Sequence, residues 1–258
     1  MSEHHQTALS TSRESNPGAE ASAGALSSSE GRYSFLRGIS ELSVLPDETL
    51  RHLAAAASVV FYETGEHITK ESRHHECGFI VVSGRVAMLK KSRNGRELVL
   101  RLLGPNDPLG LLLTSSAIPG RFFAKTQLPS TLLCIPQNEF SSLPGLFPQL
   151  CRSLMAHLLN SLDAVSETAR ALAHDRVEVR IARTLALLAR DYARPVVGGE
   201  EYVIDITRQQ LADLTGTTPE TVIRITGSMQ RDEILNIKRH RIIKVLNLRA
   251  LQKTAEGY

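Results

Sequence analysis

No stretch of this chain is apolar for long enough to cross a bilayer, so no membrane-spanning helix is expected. The opening decapeptide, MSEHHQTALS, lacks the apolar segment of a secretory signal, and a cytoplasmic location is the expectation. Cysteine is scarce. Cys77, Cys134 and Cys151 are far apart and odd in number, which speaks against a disulfide framework and suits a reducing compartment. There is no nucleophile–base motif, no phosphate-cradling glycine loop and no closed set of metal ligands, so nothing marks an enzyme. Large apolar side chains are almost missing from residues 1–32, which are rich in Ser, Ala, Gly and Glu. That segment reads as a disordered tail, unable to bury enough surface to offset the entropy of ordering.

What is present is enough for two modest domains: 258 residues, 42% of them hydrophobic. The net charge of +3 is small but unevenly placed. Residues 206–258 hold nine Lys/Arg against five Asp/Glu, an excess of +4, so the remainder carries −1. A basic excess confined to the last fifth of the chain suits a local contact with a polyanion.

Order is expected to begin near Tyr33, with a short helix from about Pro46. From Ser58 the apolar period becomes two. SVVFY, GEHITKE, CGFIVVSGRVAMLKK, RELVLRLLG, FFAKTQL and STLLCIP read as strands separated by Gly, Pro and Asn turns. Asn94-Gly95 fits a type I′ hairpin turn. Many short strands at regular spacing predict a compact antiparallel barrel or jelly roll over residues 33–143.

A long helix follows, from about Leu146 to His174, within a segment 144–174. Cys151, Met155, Leu158, Leu162, Val165, Ala169 and Leu172 alternate spacings of four and three, an a/d seam over three heptads. Such a seam packs on its own barrel or on a second copy. Leu150 and Leu154 make another face apolar too, so one face can cover the barrel while the seam builds a homodimer.

Residues 175–258 begin with a further helix to about Tyr192. TRQQLADLTGTTPETVIRITGSMQRD then reads as helix, turn, helix, and EILNIKRHRIIKVLN closes with two alternating strands, a winged arrangement. In the second helix Thr218 suits the N-cap and Pro219 the first helical position. Glu220 and Arg224 stand at i and i+4 on one face, opposite Val222, Ile225 and Met229. A surface ion pair would account for them at little energetic value. A face that reads bases is the sharper account.

Over most of residues 35–250 the chain resembles the Crp/Fnr transcription regulators. FIVVSGRVAMLKKSRNGRELVLRLLGPNDPLG resembles their cyclic-nucleotide-type β-roll, and ITRQQLADLTGTTPETVIR their helix-turn-helix. The resemblance implies an α+β protein: an antiparallel β-roll sensor, a long dimerisation helix and a C-terminal winged helix-turn-helix. It implies double-stranded DNA, a second copy of the chain and RNA polymerase as partners. Glu220 would accept from cytosine N4, Arg224 would fork onto guanine O6/N7, and Ile223 would touch a thymine methyl. Arg208, Thr218, Lys238, Arg239, Arg241 and Lys244 would meet phosphates. Pro219 replaces an Arg of the cyclic-AMP-responsive members, which implies a TTGA-like half-site instead.

The same resemblance places an effector pocket around Gly110, Leu111, Arg121, Phe122, Phe123, His157, Val165 and Ser166. Cyclic-AMP binders have Glu after the glycine, an Arg-Ser pair and two adjacent hydroxyl residues. Here stand Leu111, Arg121-Phe122 (or, shifted by one, Phe122-Phe123) and Val165-Ser166. Polar ligands need their polar partners, so cyclic AMP is not the expected effector. An iron–sulfur cluster wants four cysteines and is not expected either. Haem stays open as the ligand of a nitric oxide or CO sensor, with the apolar Leu111–Leu113 and Phe122–Phe123 around it and His157, His74, His75 or Cys77 nearby. So do a small apolar or carboxylate ligand, with Arg121 as anion partner, and no ligand at all. The rival reading is a β-roll that regulates a protein partner without touching DNA.

Overall fold

The computed structural model describes residues 24–68, 77–95, 97–109, 123–192, 194–195, 201–238 and 241–257. Helices α1 (Ser29–Arg37) and α2 (Asp47–Ala56) precede strands β1 (Ser58–Tyr62), β2 (His67–Ile68), β3 (Cys77–Ser83), β4 (Val86–Lys91), β5 (Glu97–Leu103), β6 (Pro108–Leu109), β7 (Phe123–Thr126) and β8 (Ser130–Pro136). The strands form two antiparallel sheets, ordered β1-β8-β3-β6 and β2-β7-β4-β5, the two walls of the expected roll.

Period-two patterning explains why β3 and β8 read as continuous apolar runs. Both of their faces are covered. Phe79, Val81, Leu132 and Cys134 point into the roll. Ile80, Val82, Leu133 and Ile135 point outward, beneath Leu36, Leu50, Leu53 and Leu150 of the flanking helices.

Three local expectations need correction. The segment 1–32 is not a disordered tail throughout: Leu26 is buried and α1 begins at Ser29. Arg32 donates to the Ala54 carbonyl at 2.7 Å and to the Leu26 carbonyl at 3.1 Å, tying this stretch onto α2. Residues 1–23 lie outside the described residues. The β4–β5 turn is not type I′, which requires two consecutive positive φ values. Only Gly95 has one, φ 78°, and its amide donates to the Ser92 carbonyl at 3.0 Å. Finally, Cys77 and Cys134 are joined as a disulfide, with Cα atoms 5.8 Å apart. The register pairs Cys77 with Pro136 and Phe79 with Cys134, so the two cysteines are diagonal neighbours on the inward face. A separation of 57 residues gives no sign of this in the sequence. Cys151 remains a thiol.

Short helices α3 (Gln137–Phe140) and α4 (Leu143–Leu146) lead to the long α5 (Pro148–His174). The break falls at Phe147, with φ −123° and ψ 91°, because the residue before a proline is pushed out of helical geometry. Helix α6 (Val177–Tyr192) and strands β9 (Arg194–Pro195) and β10 (Tyr202–Asp205) open the last unit. Helices α7 (Arg208–Thr215) and α8 (Pro219–Arg231), strands β11 (Leu235–Lys238) and β12 (Ile242–Val245) and helix α9 (Leu248–Ala255) complete it. Its sheet order is β11-β12-β10-β9. One core gathers Ile181, Leu185, Leu211, Val222, Met229 and Ile243 beneath the helix-turn-helix. Among the described residues no helix is long and apolar enough to cross a membrane.

Candidate nucleic-acid interface

The α7–turn–α8 unit is fixed by local chemistry at each end. Thr207 caps α7 through a reciprocal capping box: its hydroxyl accepts from the Gln210 amide at 3.1 Å, and Gln210 Oε1 accepts from the Thr207 amide at 2.8 Å. Gly216 ends α7 in the left-handed region, φ 60° and ψ 42°, where a side chain would be strained. Thr218 caps α8, its hydroxyl accepting from the Thr221 amide at 3.4 Å, and Pro219 takes the first helical position.

Helix α8 buries Val222, Ile225, Thr226 and Met229. Glu220, Ile223 and Arg224 are all exposed on its other side, Ile223 at 56%. The Glu220 carboxylate accepts from its own backbone amide and from the Thr218 hydroxyl, which holds its pKa below the ordinary value. Among the described residues no ion pair joins it to Arg224. The surface-pair account therefore does not describe this face. An acceptor, an apolar branch and a guanidinium stand open together on a helix narrow enough for a major groove.

The phosphate candidates divide. Thr218, at the start of α8, and Lys238, at the end of β11, are both exposed. Arg208, half-buried, is the first residue of α7. Arg241 Nε donates to Asp205 Oδ1 at 3.0 Å, and Lys244 pairs with Glu201, so both are held inside the wing. Arg239 lies outside the described residues.

The comparisons with known proteins agree with this geometry. A family model for the Crp-like helix-turn-helix domain matches residues 179–254, and one for the cyclic nucleotide-binding domain matches residues 59–144. The transcriptional activator protein FnrL of Cereibacter sphaeroides is 27% identical over 192 residues, covering 70% of this chain and 75% of its own. The chain belongs to the Crp/Fnr family. The cAMP-activated global regulator CRP of Escherichia coli O157:H7 is 26% identical over 191 residues, covering 74% of this chain and 90% of its own. FixK2 of Bradyrhizobium japonicum has the same fold, with a TM-score of 0.65 at 24% identity over 77% of this chain and 96% of that one. A family regulator from Eubacterium rectale reaches 0.67 at 15% identity, over 83% and 96%. The chain is thus a DNA-binding transcription regulator, in a family of regulators and not enzymes.

Only part of the effector pocket expected for this Crp/Fnr protein falls among the described residues. Gly110, Leu111, Arg121 and Phe122 lie outside the described residues, as do His74 and His75. Phe123 points out of the roll, 36% exposed, with Lys91 Nζ 5.2 Å from its ring centre. The strand alternation sets this: Ala124 and Thr126 take the inward positions of β7. His157 is turned to the N-terminal segment, where its Nδ1 meets Glu41 Oε1 at 2.8 Å. Nothing in the residue pattern points to Glu41 as its partner. Val165 is half-buried, and exposed Ser166 donates back to the Leu162 carbonyl at 2.8 Å. Among the described residues no group of three or more His, Cys, Asp or Glu gathers to hold a metal ion.

The seam on α5 leaves its large side chains uncovered mainly at Met155, Leu158 and Leu162. Met155 is 57% exposed, Leu158 46% and Leu162 61%, and Leu159 beside them, outside the heptad pattern, is 65% exposed. Cys151 is half-buried and Ala169 exposed. Val165 and Leu172 turn toward their own chain; a Cβ added at Gly216 would meet Leu172 Cδ2 at 2.4 Å.

Proposed function

We propose that this Crp/Fnr protein is a sequence-specific regulator that binds a palindromic DNA site as a homodimer. The α5 stripe of Met155, Leu158, Leu159 and Leu162 is the interface, and Glu220, Ile223 and Arg224 read bases from each subunit. Residues 33–143 are the sensor, 144–174 the dimerisation helix and 175–258 the DNA reader. Two-fold symmetry puts the two α8 helices on half-sites about 34 Å apart. Thr218, Lys238, Arg208 and Arg239 hold phosphates. Arg241 and Lys244 join them by exchanging a carboxylate for a phosphate. An effector bound by the roll biases the spacing of the readers, and RNA polymerase is the partner downstream.

One observation carries this reading: the open Glu220–Ile223–Arg224 face, without an ion pair across it, on a helix capped by Thr218. On the effector, His157 supports haem less than its sequence position suggested, because Glu41 already holds it. A gel-shift titration against genomic fragments tests the reading. A shift that weakens steeply as salt rises is expected. An absent or salt-insensitive shift overturns it in favour of a roll that acts on a protein partner.

A further inference from the structure

Among the described residues, the largest buried polar side chain is outside the reading face. Arg85 follows the glycine of the β3–β4 turn and is 2% exposed. A guanidinium loses hydration on burial and stays only where it is held. Arg85 Nη2 donates to the backbone carbonyl of Asp205 at 2.7 Å, 120 residues along the chain and in the DNA reader. The carboxylate of the same Asp205 holds Arg241 of the wing, and the Ile206 amide donates to the Arg241 carbonyl at 2.8 Å.

A second contact lies beside the first. The Gln127 amide donates to the Arg85 carbonyl at 2.7 Å, and the Arg85 amide donates to Ser130 Oγ at 3.1 Å. The β3–β4 turn and the segment between β7 and β8 therefore form one ledge. The Gln127 carbonyl accepts from Gln210 Nε2 at 2.9 Å. Gln210 is the residue whose other amide atom completes the Thr207 capping box. One side chain thus starts α7 and fastens it to the sensor.

We infer that the Arg85–Gln127 ledge is a clamp by which the roll sets the position of the reader within one chain, Arg85 acting on the wing through Asp205 and Gln127 on the start of α7 through Gln210. Arg85 and Gln210 are positioning residues here; neither touches DNA. A movement of these turns reaches the helix-turn-helix directly, without passing along α5. The inference takes from the function above only the naming of residues 175–258 as the reader.

Hydrogen exchange on the full-length protein tests it, without DNA. In Arg85→Met the amides of Ile206 and Gln210 should exchange about tenfold faster, the scale of losing one hydrogen bond from a charged donor. The Val222 amide, bonded to the Thr218 carbonyl inside the reader at 3.0 Å, should keep its rate. Gln210→Glu keeps an oxygen for the Thr207 amide but removes the donor to Gln127, so it should speed exchange over 206–210 even if the Arg85 variant does not fold. Unchanged rates at 206 and 210, or rates that rise in step with Val222, would overturn the clamp. Failure of the wild type to bind any DNA would sink the function proposed above and leave this exchange result standing.

Discussion

Helices α5 and α8 each leave one face uncovered, and the chemistry on the two faces differs. On α5 it is apolar: Met155, Leu158, Leu159 and Leu162. On α8 it is an acceptor, a branched apolar group and a guanidinium: Glu220, Ile223 and Arg224. Water penalises the first arrangement and hydrates the second. An exposed leucine stripe calls for another apolar surface, whereas an open carboxylate and guanidinium one turn apart suit base edges. The helices also begin differently. Helix α8 is capped by Thr218, while α5 starts without a side-chain cap, at a proline against the folded roll. Helix α8 is ordered in part by its own cap, and α5 by what it packs on.

Charging the α5 stripe should break the comparison most severely. Each buried leucine contributes about 1.5–3 kcal/mol, and a symmetric interface counts each twice. Leu158→Glu with Leu162→Glu should give a monomer by sedimentation and abolish binding to a full palindrome. A persistent dimer would show that the stripe is not the interface. A smaller effect is expected at the cap. Thr218→Ala should lower stability in urea unfolding by about 1 kcal/mol. No change there would mean that tertiary packing alone orders α8. Smaller still, Lys238→Ala should weaken binding to all sequences alike and flatten the salt slope by about one unit. A loss confined to one base pair would reassign it.

The smallest effect concerns the contact between reader and roll. Burial raises the pKa of Asp213 on α7, the Gln209 amide lowers it, the nearby Glu97 carboxylate raises it and Lys125 lowers it, with a net shift upward. An acid whose folded pKa is raised binds its proton more tightly when folded. Its ionised form therefore opposes folding once the pH has risen through that pKa. Asp213→Asn should stabilise the protein at pH 7, and the gain should vanish below the ordinary value of 3.8. A gain that is independent of pH would contradict this account of the contact.

The reader was legible because its signals are local. Thr218, Pro219, the Glu220/Arg224 spacing and Gly216 each act within one or two turns. The roll was legible as a class, from alternation and turn spacing, while its special contacts were not. Cys77 meets Cys134 only through strand register, and Glu41 meets His157 only through packing of the N-terminal segment. Order in residues 24–32 is not legible in composition because it rests on Leu26 and on the reach of Arg32 to Ala54. The seam stands as a proposal: in the single chain Met155, Leu158, Leu162 and Ala169 are exposed, while Cys151, Val165 and Leu172 are half-buried.

The central claim is that an open Glu220/Arg224 pair reads base edges from a symmetric dimer. Its most direct test is an affinity profile over every single base-pair change in the bound palindrome, for wild type and Arg224→Ala. The account predicts that the variant loses about 1–3 kcal/mol through one symmetric G·C pair and no longer discriminates there. Uniform weakening at all positions, with discrimination at that pair intact, would contradict it.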